Sequence, residues 1–191
     1  MGRDVSRVDT MDAQARATAD TALPVPPDTG KIGGPFALID QDGKPVTDKD
    51  FAGKDLLIYF GYTSCPDMCP TGLQSMSRAL DMLGADADKV KLLFITVDPA
   101  RDTPDKIKEY DAEFSPRIVG LTGTAAQIAA VAKEYQVYYK KESDDEDYVV
   151  DHSTQLFLMG PSNNLVTTFD EQVPPQVIVD ALHKLWAQKK P

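Results

Sequence analysis

The chain alternates between continuous apolar runs and segments whose apolar residues recur every three or four positions. Residues 56–62 (LLIYFGY) and residues 91–97 (KLLFITV) are runs of the first kind. Such runs are typical of strands that are buried on both faces of a sheet. Between the two runs, Leu73, Met76 and Leu80 share one face of a predicted helix, because one helical turn takes 3.6 residues.

Helix start signals mark the elements that follow the second run. Residues 102–114 begin with Asp102 or Thr103 as the N-cap and place Pro104 at the first helical position, which is a common arrangement at helix starts. Thr124 precedes an Ala-rich amphipathic segment in the same way. The C-terminal residues predict a last amphipathic helix that ends in lysines.

Turn sequences predict hairpins on either side of these elements. Residues 36–39 and 46–47 flank the turn Gln-Asp-Gly-Lys and form an N-terminal hairpin, and residues 154–169 predict two strands around a Pro-Ser-Asn-Asn turn. Strands and helices in this order make an α/β fold with a mixed central sheet flanked by helices. Because the first buried strand runs directly into a helix start that contains cysteine, we expect a thioredoxin-like arrangement.

The first residues differ in composition from the rest of the chain. Residues 1–31 are polar, rich in Ala and Asp, and end in the Pro-containing stretch LPVPPDTG. A segment of this composition has little apolar surface to bury. We therefore predict a flexible Pro-containing tail over residues 1–31 and a folded domain over residues 32–191. No apolar stretch approaches the roughly 18 residues of a membrane helix, so we expect this chain itself to be soluble.

The charge of the chain excludes one class of partner. It has 30 acidic and 20 basic residues, which give a net charge of -10. Proteins that bind RNA or DNA need a basic surface patch, so we expect no nucleic-acid partner. The negative charge favours a metal cation or a basic partner, although it also serves solubility alone.

Both cysteines lie in one short motif, Cys65-Pro-Asp-Met-Cys69, directly after the first apolar run. Because a helix N-terminus favours thiolate, we expect thiols there to lose their protons easily. If the segment is helical, the two sulfurs share a face and the Cα atoms lie about 6 Å apart, within the range of a disulfide. The motif is therefore compatible with a structural disulfide, a redox pair or two ligands of a metal.

The chain has two histidines, and only one of them is a good candidate for a third ligand. His183 lies in the last predicted helix, where we expect a surface or half-buried helix residue. His152 precedes an apolar strand, and in a thioredoxin-like fold the loop before that strand lies against the cysteine-bearing turn. Redox proteins of that fold usually have a proline here, whereas this chain has His152 followed by Ser and Thr.

Three segments in this order, FGYTSCPDMCP, FITVDPARDTP and VDHSTQLFLMGP, resemble the SCO/SenC family. Its members are copper-binding, thioredoxin-like assembly factors for cytochrome c oxidase. The resemblance covers residues 32–187 and implies that Cys65, Cys69 and His152 are the copper ligands.

The donor chemistry agrees with copper without fixing its oxidation state. Two thiolates and an imidazole form a soft ligand set that suits Cu(I). Zinc accepts the same donors together with a fourth ligand. Cu(II) would need an additional oxygen donor, for which Asp67 and Asp151 are candidates, although a helix-start role and an indirect supporting role, respectively, are the simpler interpretations.

The resemblance implies a copper metallochaperone that helps to assemble the copper centre of cytochrome c oxidase, without turnover of a substrate. Its partners would be the copper-accepting subunit of the oxidase, a copper donor and a thiol reductant. It would work on the periplasmic side of the bacterial inner membrane or in the mitochondrial intermembrane space, with any membrane anchor outside this chain. The alternative is an enzyme, a thiol–disulfide oxidoreductase whose redox-active pair, Cys65 and Cys69, reduces the cysteines of the copper acceptor.

One further loop carries charged residues at a predicted sheet edge. Asp98, Arg101 and Asp102 follow the second buried strand, at the edge where functional sites collect in open sheets. We expect a structural role for Asp102, as a helix N-cap, and leave partner docking or support of the copper loop open for this loop. The acidic residues 144–147 are interpreted as a solvated hairpin tip.

Overall fold

The computed structural model describes residues 31–66 and 68–189. The prediction of a flexible tail falls largely on residues 1–30 and so lies outside the described residues. In chain order, the strands are β1 (Ala37–Asp40), β2 (Pro45–Thr47), β3 (Asp55–Gly61), β4 (Val90–Thr96), β5 (Ile118–Thr122), β6 (Tyr139–Lys141), β7 (Val150–His152), β8 (Gln155–Met159) and β9 (Leu165–Asp170). The helices are α1 (Met68–Leu83), α2 (Pro104–Ala112), α3 (Ala125–Glu134) and α4 (Pro175–Gln188).

Seven strands form one mixed sheet in the order β2-β1-β5-β4-β3-β8-β9. The three central strands β3, β4 and β5 run parallel to one another. The strands on both sides pair antiparallel, with β8 joined to β3 and β1 joined to β5. The predicted mixed sheet and N-terminal hairpin are therefore confirmed, and β6 and β7 form a separate two-stranded sheet.

The central strand β3 contributes to the core on both faces of the sheet. Leu57 and Tyr59 pack with residues of α1, α2 and α4, whereas Leu56, Ile58 and Phe60 pack with residues of α3 and the N-terminal hairpin. Every residue of β3 is buried, which explains why the sequence shows a continuous apolar run instead of alternation. None of the helices in the described part of the chain is long and apolar enough to cross a membrane.

Helix α2 begins as the sequence predicts, but with the second of the two N-cap candidates. Thr103 is the N-cap, and its hydroxyl accepts a hydrogen bond from the Lys106 amide at 3.3 Å. Asp102 as the N-cap is therefore wrong, because its carboxylate points to the loop that precedes α1. Thr124 caps α3 as predicted, in a reciprocal arrangement with Gln127.

Helix α2 also carries a buried carboxyl group without a hydrogen bond. Asp111 is 3% exposed, and neither of its oxygens finds a partner among the described residues. A side chain on Gly120 would reach within 2.2 Å of the Asp111 carboxyl, so this glycine makes room for it. Burial, with a smaller effect from the nearby Asp102, raises the pKa of Asp111 to about 8.

We expect Asp111→Asn to remove a pH dependence from the stability of the protein. In the unfolded chain Asp111 ionises above a pKa of about 3.9, whereas the folded protein keeps the proton up to a pKa of about 8. The free energy of unfolding of the wild type should therefore fall between pH 4 and pH 8 relative to the variant, by about 1.4 kcal/mol per unit of pH at most.

Urea denaturation at a series of pH values measures this difference. The matched control is Asp105→Asn, because Asp105 is exposed on the same helix. If the wild type and the Asp111 variant follow parallel pH profiles, Asp111 does not hold its proton in the folded state.

Candidate metal centre

The two cysteines lie where β3 passes into α1, and they differ in exposure. Cys65 lies in the connecting loop and is partly buried, whereas Cys69 lies in the first turn of α1 and is 0% exposed. No disulfide joins them. Because α1 begins at Met68, Cys65 lies outside the helix, and the condition for a shared helical face is not met. The two sulfurs nonetheless lie within 4.8 Å of each other.

His152 completes a cluster of three donor atoms. It is the last residue of β7, where it pairs with Tyr139, and its Nε2 atom lies 3.7 Å from Cys69 Sγ. The ligand atoms of Cys65, Cys69 and His152 all lie within 4.8 Å of one another. The fold therefore brings together the three residues predicted as ligands, although 83 positions separate Cys69 from His152.

The surroundings of His152 orient its imidazole. The Nδ1 atom lies 2.7 Å from the carbonyl oxygen of Ser153, and a carbonyl only accepts hydrogen bonds, so Nδ1 carries the proton. In the neutral imidazole the lone pair is then on Nε2, which faces Cys69. The rings of Tyr59 and Tyr62 contact the imidazole edge-on, with centroids at 6.4 and 5.7 Å, and limit its rotation.

The distance between one sulfur and the imidazole nitrogen fits a bound metal. A metal bonded to sulfur at about 2.3 Å and to nitrogen at about 2.0 Å, as zinc is, separates these donors by about 3.7 Å when the bond angle is about 120°. The measured separation between Cys69 Sγ and His152 Nε2 is 3.7 Å. A set of two sulfurs and one imidazole is soft and low-coordinate, which suits Cu(I).

The Cys69 sulfur packs directly on β3. A side chain on Gly61 would come within 2.6 Å of this sulfur, so a residue without a side chain is required there. A hydrogen bond with Cys65 and the burial of the thiol raise the pKa of Cys69. The expectation of an easily lost proton is therefore wrong for Cys69, because the contact with Cys65 and the cost of burying a thiolate together exceed the effect of the helix start. Metal binding would displace this proton.

Asp102 fixes the cysteine loop to the sheet. Its carboxylate accepts hydrogen bonds from the Thr63 amide at 3.0 Å, the Thr63 hydroxyl at 2.6 Å and the Thr96 hydroxyl at 2.6 Å. Thr63 lies two residues before Cys65, and Thr96 ends β4. The expected structural role of Asp102 is thus found, through contacts that the sequence did not reveal.

The structure also describes most of the other residues that the sequence analysis considered as ligands or as a hairpin tip. Asp151 is exposed on β7, and the donor cluster among residues 31–66 and 68–189 contains no carboxylate. Asp67 lies outside the described residues. The acidic residues 144–147 are exposed in the turn between β6 and β7, as expected of a hairpin tip. His183 is exposed on α4, next to Trp186.

We expect Asp102→Asn to loosen the cysteine loop. All three groups that bind the carboxylate are donors, and an amide offers one acceptor oxygen and one donor nitrogen, so at least one donor loses its partner. The stability should fall by about 1–3 kcal/mol, and alkylation of Cys65 in the native protein should become faster. The matched control is again Asp105→Asn, and equal alkylation rates in all three proteins would contradict the role of Asp102.

Comparison with known proteins agrees with this geometry. Residues 25–187 match the sequence profile of the SCO1/SenC family. Protein SCO1 homolog 1 of Arabidopsis thaliana, a mitochondrial protein, is 44% identical over 162 residues, which are 83% of this chain and 48% of the relative. Protein SenC of Rhodobacter capsulatus is 41% identical over 155 residues, which are 81% of this chain and 70% of the relative. The chain thus spans about half the length of the first of these relatives.

Solved structures show the same fold. The structure of Bradyrhizobium japonicum ScoI with copper bound matches with a TM-score of 0.75 and 47% identity, over 80% of this chain and 98% of that chain. Arabidopsis thaliana ScoI with copper bound matches with a TM-score of 0.77 and 43% identity, over 82% of this chain and 99% of that chain. The predicted thioredoxin-like fold is confirmed, and the chain belongs to the SCO1/SenC family.

Proposed function

We propose that this protein is a copper metallochaperone that binds one copper ion through Cys65, Cys69 and His152. The observation that carries the proposal is the cluster of their three ligand atoms within 4.8 Å. The proton on Nδ1 of His152 leaves Nε2 ready to bind a metal, and the hydrogen bond to Ser153 fixes the ring in that orientation. Solved relatives with copper bound support the choice of metal.

The unequal exposure of the two sulfurs suits a protein that passes its metal on. Cys65 and His152 line an open groove of about 670 Å³, together with Tyr62, Val149 and Thr154. Cys69 lies beneath them, fully buried. A ligand of an acceptor protein can therefore approach copper from the groove while Cys69 still holds it from below.

The acceptor we propose is the copper-binding subunit of cytochrome c oxidase. One solved relative, 25% identical with a TM-score of 0.69, is described as a member of the Sco family of cytochrome c oxidase assembly proteins. A copper donor and a thiol reductant complete the set of partners. The family includes mitochondrial proteins and the bacterial SenC, so we place the protein in the mitochondrial intermembrane space or on the periplasmic side of the bacterial inner membrane.

The second candidate function is thiol–disulfide exchange. Cys65 is partly exposed and Cys69 is buried, which is the asymmetry expected of an attacking and a resolving thiol. The same relative is described with a disulfide switch. An oxidoreductase of this kind would reduce the cysteines of the copper acceptor and would need Cys65 and Cys69, but not His152.

We expect copper to bind at one equivalent per chain, and only to the reduced protein. Closing a disulfide between Cys65 and Cys69 removes both thiolates, and a disulfide sulfur is a poor ligand. Titration of Cu(I) into reduced and oxidised samples, in competition with a chelator of known affinity, measures the difference. Equal retention of copper by the two forms would rule out the proposed ligands.

We expect His152→Ala to separate the two candidate functions. Copper would keep two sulfur ligands, so its affinity should fall at least tenfold, which corresponds to about 1.4 kcal/mol. The dithiol reduction potential should change little, since both cysteines and the start of α1 are intact. The matched control is His183→Ala, because His183 is the other histidine of the chain and is exposed on α4.

Each variant needs two measurements, copper affinity by competition and dithiol potential by equilibration with a redox buffer. A wild-type copper affinity in His152→Ala, together with a loss of disulfide exchange, would overturn the metallochaperone and favour the oxidoreductase.

A further inference from the structure

The position of His152 depends on a hairpin that is separate from the main sheet. Within residues 31–66 and 68–189, strands β6 and β7 pair only with each other, through Tyr139 with His152, Lys140 with Asp151, and Lys141 with Val150. An isolated two-stranded hairpin is at best marginally stable in water. The imidazole therefore stays beside the cysteines only if other contacts hold the hairpin to the body of the protein.

The turn of this hairpin is held by Arg101 and Asp98, from the loop after β4. The Arg101 guanidinium lies over the Tyr148 ring, with Cζ 3.6 Å from the centroid, and Nη1 lies 3.4 Å from the Glu146 carbonyl oxygen. The Tyr148 hydroxyl donates to Asp98 Oδ1 at 2.5 Å. Asp98 also binds Arg101 Nε through its other oxygen, at 2.5 Å. Arg101, Asp98, Tyr148 and the Glu146 carbonyl thus form one connected set of contacts.

A second contact joins the hairpin to the cysteine side of the site. The Val150 amide lies 3.3 Å from the Tyr62 hydroxyl oxygen, and the Tyr62 ring packs edge-on against His152. The Arg101 guanidinium also lies 5.8 Å from the Tyr62 ring. Arg101 therefore lies near both Tyr148 of the hairpin and Tyr62, which contacts β7.

We propose that Arg101 and Tyr148 are positioning residues that form a latch, which holds the β6–β7 hairpin and so keeps His152 at the metal. Opening of the latch withdraws the imidazole and leaves copper on Cys65 and Cys69. The effect of the latch on copper rests on the proposed function, whereas the attachment of the hairpin to the body does not.

One short segment contacts both the loop that carries Cys65 and the hairpin that carries His152. The amides of Arg101 and Asp102 donate to the Asp98 carbonyl at 3.2 and 3.0 Å, which makes residues 98–102 a tight turn. Asp102 holds the cysteine loop through Thr63, and Arg101 holds the histidine hairpin through Tyr148. Residues 98–102 thereby help to fix the distance between the cysteines and His152.

The loop and the hairpin are held with unequal strength. The cysteine loop is attached by hydrogen bonds to a carboxylate that is 1% exposed, where water competes little. The latch is less deeply buried, since the Arg101 side chain is 19% exposed, although its partner Asp98 is only 4% exposed. The Arg101 Nη2 atom is buried without a hydrogen-bond partner among the described residues, which lowers the stability of the closed latch. The β6–β7 hairpin, which carries His152, therefore detaches from the body more easily than the loop that carries Cys65.

The chemistry of the latch requires both residues as they are. A planar guanidinium can stack on the Tyr148 ring and bind a carboxylate at the same time. Tyr148 is also contacted by the Lys141 ammonium, 4.2 Å from the ring centroid, but Lys141 belongs to the hairpin itself. Lys141 thus cannot replace Arg101 as the link to the body.

The first test uses the reduced, metal-free full chain and follows hydrogen exchange of backbone amides. In Arg101→Gln, the hairpin amides of Glu142, Val150 and Ser153, which are hydrogen-bonded in the closed form, should exchange faster by about tenfold or more, while the amides of β3 keep their rates. Tyr148→Phe keeps the stacked ring and loses the bond to Asp98, so its effect should be smaller than that of Arg101→Gln.

The matched control is Arg117→Gln, because Arg117 is an exposed arginine whose ion pair with Asp88 measures 3.8 Å. Unchanged hairpin exchange in Arg101→Gln would overturn the latch. A uniform acceleration in the hairpin and in β3 would also overturn it, because that result means only a loss of global stability.

The second test combines Arg101→Gln with His152→Ala in copper titrations. The Arg101 variant should lose copper affinity and the nitrogen signature of the bound copper in its spectra, with little change in dithiol potential. If Arg101 acts through His152, the double variant should bind copper no more weakly than His152→Ala alone. Additive losses would overturn the positioning role. If the wild type fails to bind copper, the proposed function fails while the exchange test still decides the latch.

Discussion

The geometry of the site depends on the hydrogen bonds that the Asp102 carboxylate accepts. A buried carboxylate is costly unless donors surround it, and here Thr63 and Thr96 provide three. The Thr122 hydroxyl in addition donates to the Asp102 backbone carbonyl at 3.0 Å. The loop that bears Cys65 is therefore tied to β4 and β5, in the middle of the sheet. That tie fixes the position of Cys65 relative to the sheet against which Cys69 packs.

The sequence was sufficient for the fold class and for the members of the donor cluster. The parallel strands β3 and β4 are buried on both faces, and burial of that kind leaves continuous apolar runs that can be recognised without a structure. The donor cluster was accessible because the chain has only two cysteines and two histidines. With so few candidates, the motif around each residue was enough to choose His152 over His183.

The contacts that hold the site could not be predicted, because they join residues that are distant in the chain. In the sequence, Asp102 is interpreted as a helix cap. Only the structure shows that Thr63, 39 residues earlier, donates hydrogen bonds to its carboxylate. The pKa of Cys69 was predicted from its place at a helix start, whereas a hydrogen bond with Cys65 and the burial of the thiol raise this pKa. Gly61 carries no local turn signal, and its role depends on the sulfur that packs against it.

The pairing of Tyr139 with His152 restricts where the chain can change length. Successive side chains of a strand point to opposite faces, so one residue inserted within β7 would turn the imidazole away from the sulfurs. Residues 143–145 lie beyond the paired strands and before Glu146 and Tyr148, which contact Arg101. An insertion there lengthens the turn and leaves both the pairing and the Arg101 contact in register. Diversity in the length of this hairpin is therefore compatible with an unchanged metal centre only at its tip.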